Sequence, residues 1–301
     1  MNLKLRQKII SSILPYLLEQ SKAAQSYRAA LSVSLKNDRS PVCDMDYLNQ
    51  IAFDLCLKKL CPNDNLIAEE DINADLQARL LSQNQEYFLG AMQIADNIAQ
   101  SIGTDDCGGQ WYLDPIDGTK GFMDGLVFSI GAAFVEDGVC KQSGIACASL
   151  SEIVHQEFPS LWTAGRGATL NSKQISDPKP ITLAISRKHR SSSLVSYLNS
   201  KLNVKLVELD SMAKYVCVAS GYCDAYIRES GQCGSGEDMI WDHLPGIHLI
   251  REYGGLIVDA EGAPPDYSNS DGENRIRFKK YLIAAKDSAV CSLVSTVLGN
   301  R

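Results

Sequence analysis

Two aspartates three positions apart, in Trp111-Tyr112-Leu113-Asp114-Pro115-Ile116-Asp117-Gly118-Thr119, straddle a proline where an apolar run ends. At a strand end that spacing aims both carboxylates at one point, with the Ile116 carbonyl between them as a third oxygen. Hard divalent cations such as Mg²⁺ take oxygen ligands of this kind. Gly118-Thr119 follows at once, and a turn that glycine permits exposes backbone N–H groups to a phosphate. Taken alone, the string also suits an Asx-rich surface turn.

Further carboxylates and a set of basic residues extend this chemistry. Glu69-Glu70-Asp71 closes the apolar Leu66-Ile67-Ala68, where a carboxylate projects beyond a sheet edge. Asp242 lies in Met239-Ile240-Trp241-Asp242-His243, inside an apolar helical stretch. A carboxylate there is costly unless it is paired, hydrogen-bonded or metal-bound, and capping or a salt bridge would answer the same cost. Asp46 falls at a helix start, where N-capping is the alternative to a chemical role. In the second half, Ser186-Arg187-Lys188-His189-Arg190 follows a strand, Asp210-Ser211 opens a helix with Lys214 about a turn along, and Arg228 ends the next strand. Helix N-termini and nearby lysines favour phosphate, although each of these charges, taken singly, is more often a solvated surface group.

Asp-Pro-Ile-Asp-Gly-Thr at 114–119, preceded by the Glu69-Glu70 strand end and followed by Trp241-Asp242 and Gly254-Gly255, resembles the lithium-sensitive, magnesium-dependent phosphatase superfamily. That group holds inositol monophosphatases, fructose bisphosphatases and 3′(2′),5′-bisphosphate nucleotidases. The resemblance spans roughly residues 36–290, in order. Lys36-Asn37-Asp38-Arg39-Ser40-Pro41-Val42, the run from Asp117 to Phe122, and Asp210-Ser211-Met212-Ala213-Lys214-Tyr215 are most similar to the nucleotidase branch.

The resemblance implies a layered αβαβα sandwich and a hydrolase that removes the 3′-phosphate of adenosine 3′,5′-bisphosphate, giving AMP and phosphate. It also implies 3′-phosphoadenylyl sulfate as a further substrate, a setting in sulfur metabolism, and sensitivity to lithium. Glu69, Asp114, Asp117, Asp242 and the Ile116 carbonyl would bind two to three Mg²⁺ ions. Asp46 and Thr119 would orient and deprotonate the attacking water. Gly118, Thr119, Ser186, His189, Ser211, Lys214 and Arg228 would contact the substrate, with Lys214 and Arg228 on the non-scissile phosphate. Two departures stand out: Cys43 occupies a position where threonine is usual, and Ala68 one where glycine is common. An inositol polyphosphate 1-phosphatase or inositol monophosphatase is the alternative activity. A haloacid-dehalogenase-type phosphatase, with its nucleophilic aspartate, fits poorly because two residues separate the aspartates. A nucleotide or metal sensor on the same fold is the non-enzymatic alternative.

The elements that must position these residues read as α/β. Helical periodicity runs from about Leu3 to Leu35, from Tyr47 to Leu60 and from Ala74 to Ile102. Strands fit Leu66–Ala68 and Trp111–Leu113, the latter stopping at Asp114-Pro115, and a hairpin fits 128–135 and 139–146. Beyond about Trp162, strands at 181–186, 205–209, 225–228, 256–258 and 281–284 alternate with helices at 192–202, 211–220, 237–252 and 289–298. This predicts an α+β domain over 1–160 carrying most metal ligands. An α/β domain over 161–301 would carry the nucleotide-binding residues and Asp242. The loop from Ser230 to Gly236, with three glycines, is the expected mobile segment.

With 301 residues, 45% hydrophobic, the chain can bury a sizeable core without staples. Residues 1–160 hold 12 Lys and Arg against 21 Asp and Glu, whereas 161–301 hold 17 against 15, so the acidity sits in the first half. A net charge of −7 argues against a nucleic-acid polymer as partner and leaves a small-molecule nucleotide. No apolar run is long enough for a membrane span, and the N-terminus lacks a secretory pattern. A cytoplasmic monomer or dimer is expected. Ten cysteines without a Cys-x-x-Cys pair read as buried, reduced thiols.

Overall fold

Apolar residues spaced three and four apart build α1 (Leu3–Ser26), whose Leu5, Ile9, Ile10, Ile13, Leu14 and Leu17 are fully buried. A computed structural model describes residues 2–27, 32–36, 40–154, 157–165, 180–187, 191–230, 238–299 and 301. His189, Arg39 and the 231–236 stretch of the expected mobile loop lie outside the described residues. The chain divides into two compact units, Met1–Thr163 and Ala164–Arg301.

In the first unit, α1 stops nine residues short of the expected Leu35. Val33–Leu35 instead forms strand β1, paired antiparallel with β2 (Pro41–Cys43). Ser32-Val33-Ser34-Leu35 alternates polar and apolar with period two, and strand pairing outweighs the weak helical pattern there. Helix α2 (Asp44–Leu60) starts three residues earlier than its apolar stripe, with Asp44 and Asp46 facing the positive end of the helix dipole. The single helix expected over 74–102 is two, α3 (Ala74–Gln83) and α4 (Gln85–Ile102). They part at Asn84, whose side chain bonds the Leu80 carbonyl and competes with the helical ladder.

Five strands form the first sheet, β3 (Asn65–Ala68), β4 (Gln110–Asp117), β5 (Ser129–Glu136), β6 (Val139–Cys147) and β7 (Leu161–Ala164), in that spatial order. Two short helices, α5 (Thr119–Met123) and α6 (Leu150–Val154), complete the unit. Strand β4 does not end at Asp114. It continues to Asp117 across a break in its register against β5. Pro115 lacks an N–H for the ladder, so in a central strand it requires such a bulge. Arg6, fully buried on α1, pairs with Asp64 and Asp105 and ties the helix to the turn before β3 and the loop before β4.

The second unit consists of β8 (Ile181–Ser186), α7 (Ser192–Lys201), β9 (Val204–Leu209), α8 (Ala213–Ala219), β10 (Ala225–Glu229), α9 (Ile240–Glu252), β11 (Leu256–Asp259), β12 (Tyr281–Ala285) and α10 (Ser288–Gly299). Its sheet order is β11-β12-β10-β8-β9, with β8 parallel to both β9 and β10. Alternation along β10 sends Ala225 and Ile227 into a core shared with α7 and α10, and Tyr226 onto Tyr215 of α8. Both sheets are mixed: the first pairs β3 parallel to β4 with β4, β5 and β6 antiparallel, and the second adds antiparallel β10–β12 and β11–β12 to its parallel pairs. Eight of the nine described cysteines are buried, Cys107 is exposed, and all nine are free thiols.

Candidate active site

The bulge in β4 sets Asp114 in the strand, with its residue almost wholly buried, and Asp117 at the strand end. Asp117 accepts a hydrogen bond from Ser129 Oγ at 3.3 Å. Gly118 then turns the chain with φ +88°, in the left-handed region that glycine enters without cost. The turn swings Thr119 back over the bulge, where its hydroxyl lies 3.1 Å from the Ile116 carbonyl and 3.1 Å from Asp46 Oδ1. One hydroxyl carries one proton, so these two oxygens compete for it.

Asp46 is not itself the N-cap residue of α2, as the capping alternative would have it. Cys43 is the N-cap residue, and its N–H and Sγ donate to Asp46 Oδ2 at 2.9 and 2.8 Å. Asp46 thus closes a capping box with one oxygen and meets Thr119 with the other. Full burial pushes its carboxyl up to about 6, against the bonds from Cys43 and Thr119. Burial also pushes the Cys43 thiol up, and neighbouring Asp46 adds to this, so the thiol stays protonated as a donor.

Glu69 and Glu70 follow β3, which lies parallel to β4. Lys36 Nζ stands 2.6 Å from an oxygen of each. Burial, helped by the charges of Glu69 and Asp46 and opposed by Lys36, raises the Glu70 carboxyl to about 7. Burial opposes the charge on Lys36, but Glu69 and Glu70 outweigh it and hold the ammonium well above its ordinary range. Sequence reasoning placed Lys36 in a motif without giving it this role; a lone lysine before Asn37-Asp38 offers no signal of its partners.

These donors suit a hard cation. They are carboxylates and a backbone carbonyl, all oxygen, and the mutual repulsion recorded at Glu70 is what a divalent ion relieves. Among the described residues no three His, Cys, Asp or Glu side chains close on a single point. That is compatible with magnesium, which is commonly held by one or two carboxylates, with water and substrate phosphate completing its shell.

In the second unit, parallel pairing of β8 with β9 and β10 puts Ser186, Asp210-Ser211 and Arg228 toward one strand-end edge. Ligands of open α/β sheets bind outside the carboxyl ends of such strands. Asp210 Oδ1 accepts from Ser186 Oγ at 3.4 Å and from the Arg187 N–H at 3.2 Å. Ser211 does not open the helix as expected. It takes φ +65° and α8 begins two residues later, at Ala213, so Lys214 sits in the helix's first turn. Lys214 is not a solvated charge. It is buried, donates to the Ser211 carbonyl at 2.6 Å and lies over the Tyr226 ring.

Arg228 donates through Nε to Asp238 Oδ1 at 2.8 Å, and His243 Nε2 lies 3.2 Å from the same oxygen. A carboxylate only accepts, so Nε2 carries the imidazole proton and Nδ1 accepts from the Tyr215 hydroxyl at 2.7 Å. Burial lowers His243 below its ordinary value despite Asp238 and keeps it neutral. Burial alone would raise Asp238, but His243 and Arg228 outweigh it and hold the carboxyl ionised. Sequence reasoning missed this chain; the spacing of Asp238 and His243 on either side of Trp241-Asp242 was its one trace. Asp242 itself occupies the first turn of α9, a position favourable for an anion.

The chain matches the sequence profile of the inositol monophosphatase family over residues 17–289. It is 30% identical to 3′(2′),5′-bisphosphate nucleotidase 1 of Candida albicans, across 87% of this chain and 85% of that protein. Two solved structures share the fold. A Staphylococcal inositol monophosphatase-1, soaked with LiCl as an inhibitory complex, superimposes with a TM-score of 0.64 at 16% identity, over 99% of this chain and 95% of that one. An IMPase/NADP phosphatase complexed with Mg²⁺ and phosphate gives 0.61 at 16% identity, over 95% and 93%. No described helix is long and apolar enough to cross a membrane. Profile, relative and fold agree with the carboxylate geometry, and the chain belongs to the inositol monophosphatase family.

Proposed function

We propose that the protein is a magnesium-dependent 3′(2′),5′-bisphosphate nucleotidase that converts adenosine 3′,5′-bisphosphate to AMP and phosphate. The observation that carries this reading is the Asp46–Thr119 pair, 3.1 Å apart, held over the Asp114–Asp117 bulge. The relative of Candida albicans, by its name, supports the choice of substrate. Glu69, Asp114, Asp117 and the Ile116 carbonyl would hold magnesium, with Asp242 added on the strength of its motif alone and two or three ions implied by the resemblance.

Phosphomonoester hydrolysis is among the slowest uncatalysed reactions, with enhancements up to ~10²¹. Bound magnesium supplies positive charge for the phosphoryl oxygens and the leaving alkoxide, and acidifies water. The chain's own residues do the rest. Thr119 Oγ1 accepts from the attacking water and passes its own proton to Asp46 Oδ1. Gly118 shapes the turn that presents Thr119. Lys214 and Arg228, with Ser186 and Ser211, take the phosphate that is not cleaved; His189, implied by the resemblance alone, lies outside the described residues. A phosphate-release panel over adenosine 3′,5′-bisphosphate, 3′-phosphoadenylyl sulfate, inositol 1,4-bisphosphate and inositol monophosphate tests the reading. Preference for either inositol phosphate sinks the substrate assignment.

Two consequences are measurable. Asp46 must be ionised to accept a proton, and burial pushes its carboxyl up to about 6. Below that value kcat/KM falls about tenfold per pH unit, and the limb moves to lower pH as Mg²⁺ is raised. A profile flat from about pH 5 to 7 contradicts the role of Asp46. Li⁺ resembles Mg²⁺ in size but carries half its charge, so it occupies an ion position while stabilising developing negative charge poorly. Lithium therefore inhibits far more than sodium at equal ionic strength, and equal inhibition counts against the site.

A further inference from the structure

One turn of α2 reaches both acidic segments through two neighbouring carboxamides. Asn49, fully buried, donates through Nδ2 to the Pro115 carbonyl at 2.9 Å and to Ser21 Oγ at 3.0 Å. Its Oδ1 accepts from the Tyr87 hydroxyl at 2.6 Å, so every polar atom of the amide is used. Gln50 grips the Glu70 backbone on both sides, with Nε2 donating to the carbonyl at 2.7 Å and Oε1 accepting from the N–H at 3.0 Å. The Pro115 and Glu70 carbonyls only accept and the Glu70 N–H only donates, so both amide orientations are fixed.

A buried amide between Leu48 and Ile51 is costly unless fully bonded, and α2 would be cheaper to pack without it. What the two amides accomplish is registration. Pro115 has no N–H with which the sheet can pin the bulge, so its carbonyl is pinned from α2. The Pro115 carbonyl is held toward α2 while the next carbonyl, that of Ile116, accepts from Thr119. Gln50 fixes the strand end that carries Glu69 and Glu70. Asp46, one turn earlier on α2, is thereby held at a set distance from both segments.

We infer that Asn49 and Gln50 are positioning residues of the cation site, registering the Asp114–Asp117 bulge and the Glu69-Glu70 strand end against Asp46. The inference rests on the metal-site reading above. Outer partners of this kind typically govern metal affinity by 10–100-fold.

The test compares the full chain with Gln50→Met and Asn49→Leu. It uses Mn²⁺ binding by electron paramagnetic resonance, the metal-free Tm, and phosphate release as a function of Mg²⁺. Gln50→Met, at a half-buried position where methionine keeps the packing, raises the Mn²⁺ dissociation constant about tenfold or more. It raises the Mg²⁺ needed for half-maximal release by the same factor and leaves the metal-free Tm within about 3 °C. Asn49→Leu has the larger effect on affinity; if it fails to fold, Gln50→Met decides alone. Unchanged Mn²⁺ affinity in Gln50→Met overturns the positioning role, as does a loss of affinity matched by a large fall in metal-free Tm. A wild-type chain that neither binds Mn²⁺ nor releases phosphate overturns the metal-site reading itself, before any variant is compared.

Discussion

Asp117→Asn lowers magnesium-dependent phosphate release by at least about 10³-fold, exceeding the 10–100-fold typical of losing an outer partner of a metal ligand. The substitution is nearly isosteric. Asp117 stands at the end of β4, where the bulge and Gly118 determine the backbone, and its side chain accepts a bond from Ser129. An amide oxygen can still accept that bond, so the fold survives. What disappears is the negative charge that competes for Mg²⁺ with its hydration shell. Asp242→Asn, in the first turn of α9, has an effect of the same order. The check is direct: metal-free Tm within a few degrees of wild type, Mn²⁺ affinity lost, phosphate release lost. Near-wild-type turnover in either variant removes that residue from the ligand set.

How far the sequence foretells this arrangement depends on whether a feature is local. The Asp114-Pro115-Ile116-Asp117-Gly118-Thr119 string is legible because its chemistry and its turn lie within six residues, and proline and glycine each permit few backbone shapes. The strands and helices of the second unit are legible because their hydrophobic periods are clear. The break at Asn84 and strand β1 were not, since a side-chain cap and an edge pairing each override a weak helical pattern. Asn49 and Gln50 sat in view as two amides interrupting an apolar helix face. Their partners lie 66 and 20 residues away, and no spacing rule connects them. The same holds for Lys36 with the glutamates and for Asp238 with Arg228. For Lys214 the solvated alternative falls away: the residue is buried, its ammonium meeting the Ser211 carbonyl and the Tyr226 ring.

Those contacts shape the second prediction. A bisphosphorylated substrate needs a cationic site for the phosphate that is not cleaved, and Lys214 and Arg228 lie toward the strand-end edge where parallel β8, β9 and β10 stop. Arg228 spends Nε on Asp238, which leaves the terminal amino groups of its planar fork as the pair that matches a phosphate. Each charge-assisted hydrogen bond to phosphate contributes about 1.5–3 kcal/mol, or roughly tenfold to a hundredfold in specificity. Lys214→Met, which keeps the stem over Tyr226, and Arg228→Ala therefore lower kcat/KM for adenosine 3′,5′-bisphosphate by that factor. Hydrolysis of 3′-AMP, which has no 5′-phosphate, stays within about twofold of wild type on the same reasoning. Asp238→Asn weakens the hold on Arg228 and gives a smaller loss with the same substrate dependence. Both substrates are measured on each variant, with KM separated from kcat. Equal losses on the two substrates assign these residues to the fold of the second unit, and the second anion site then has to be sought elsewhere.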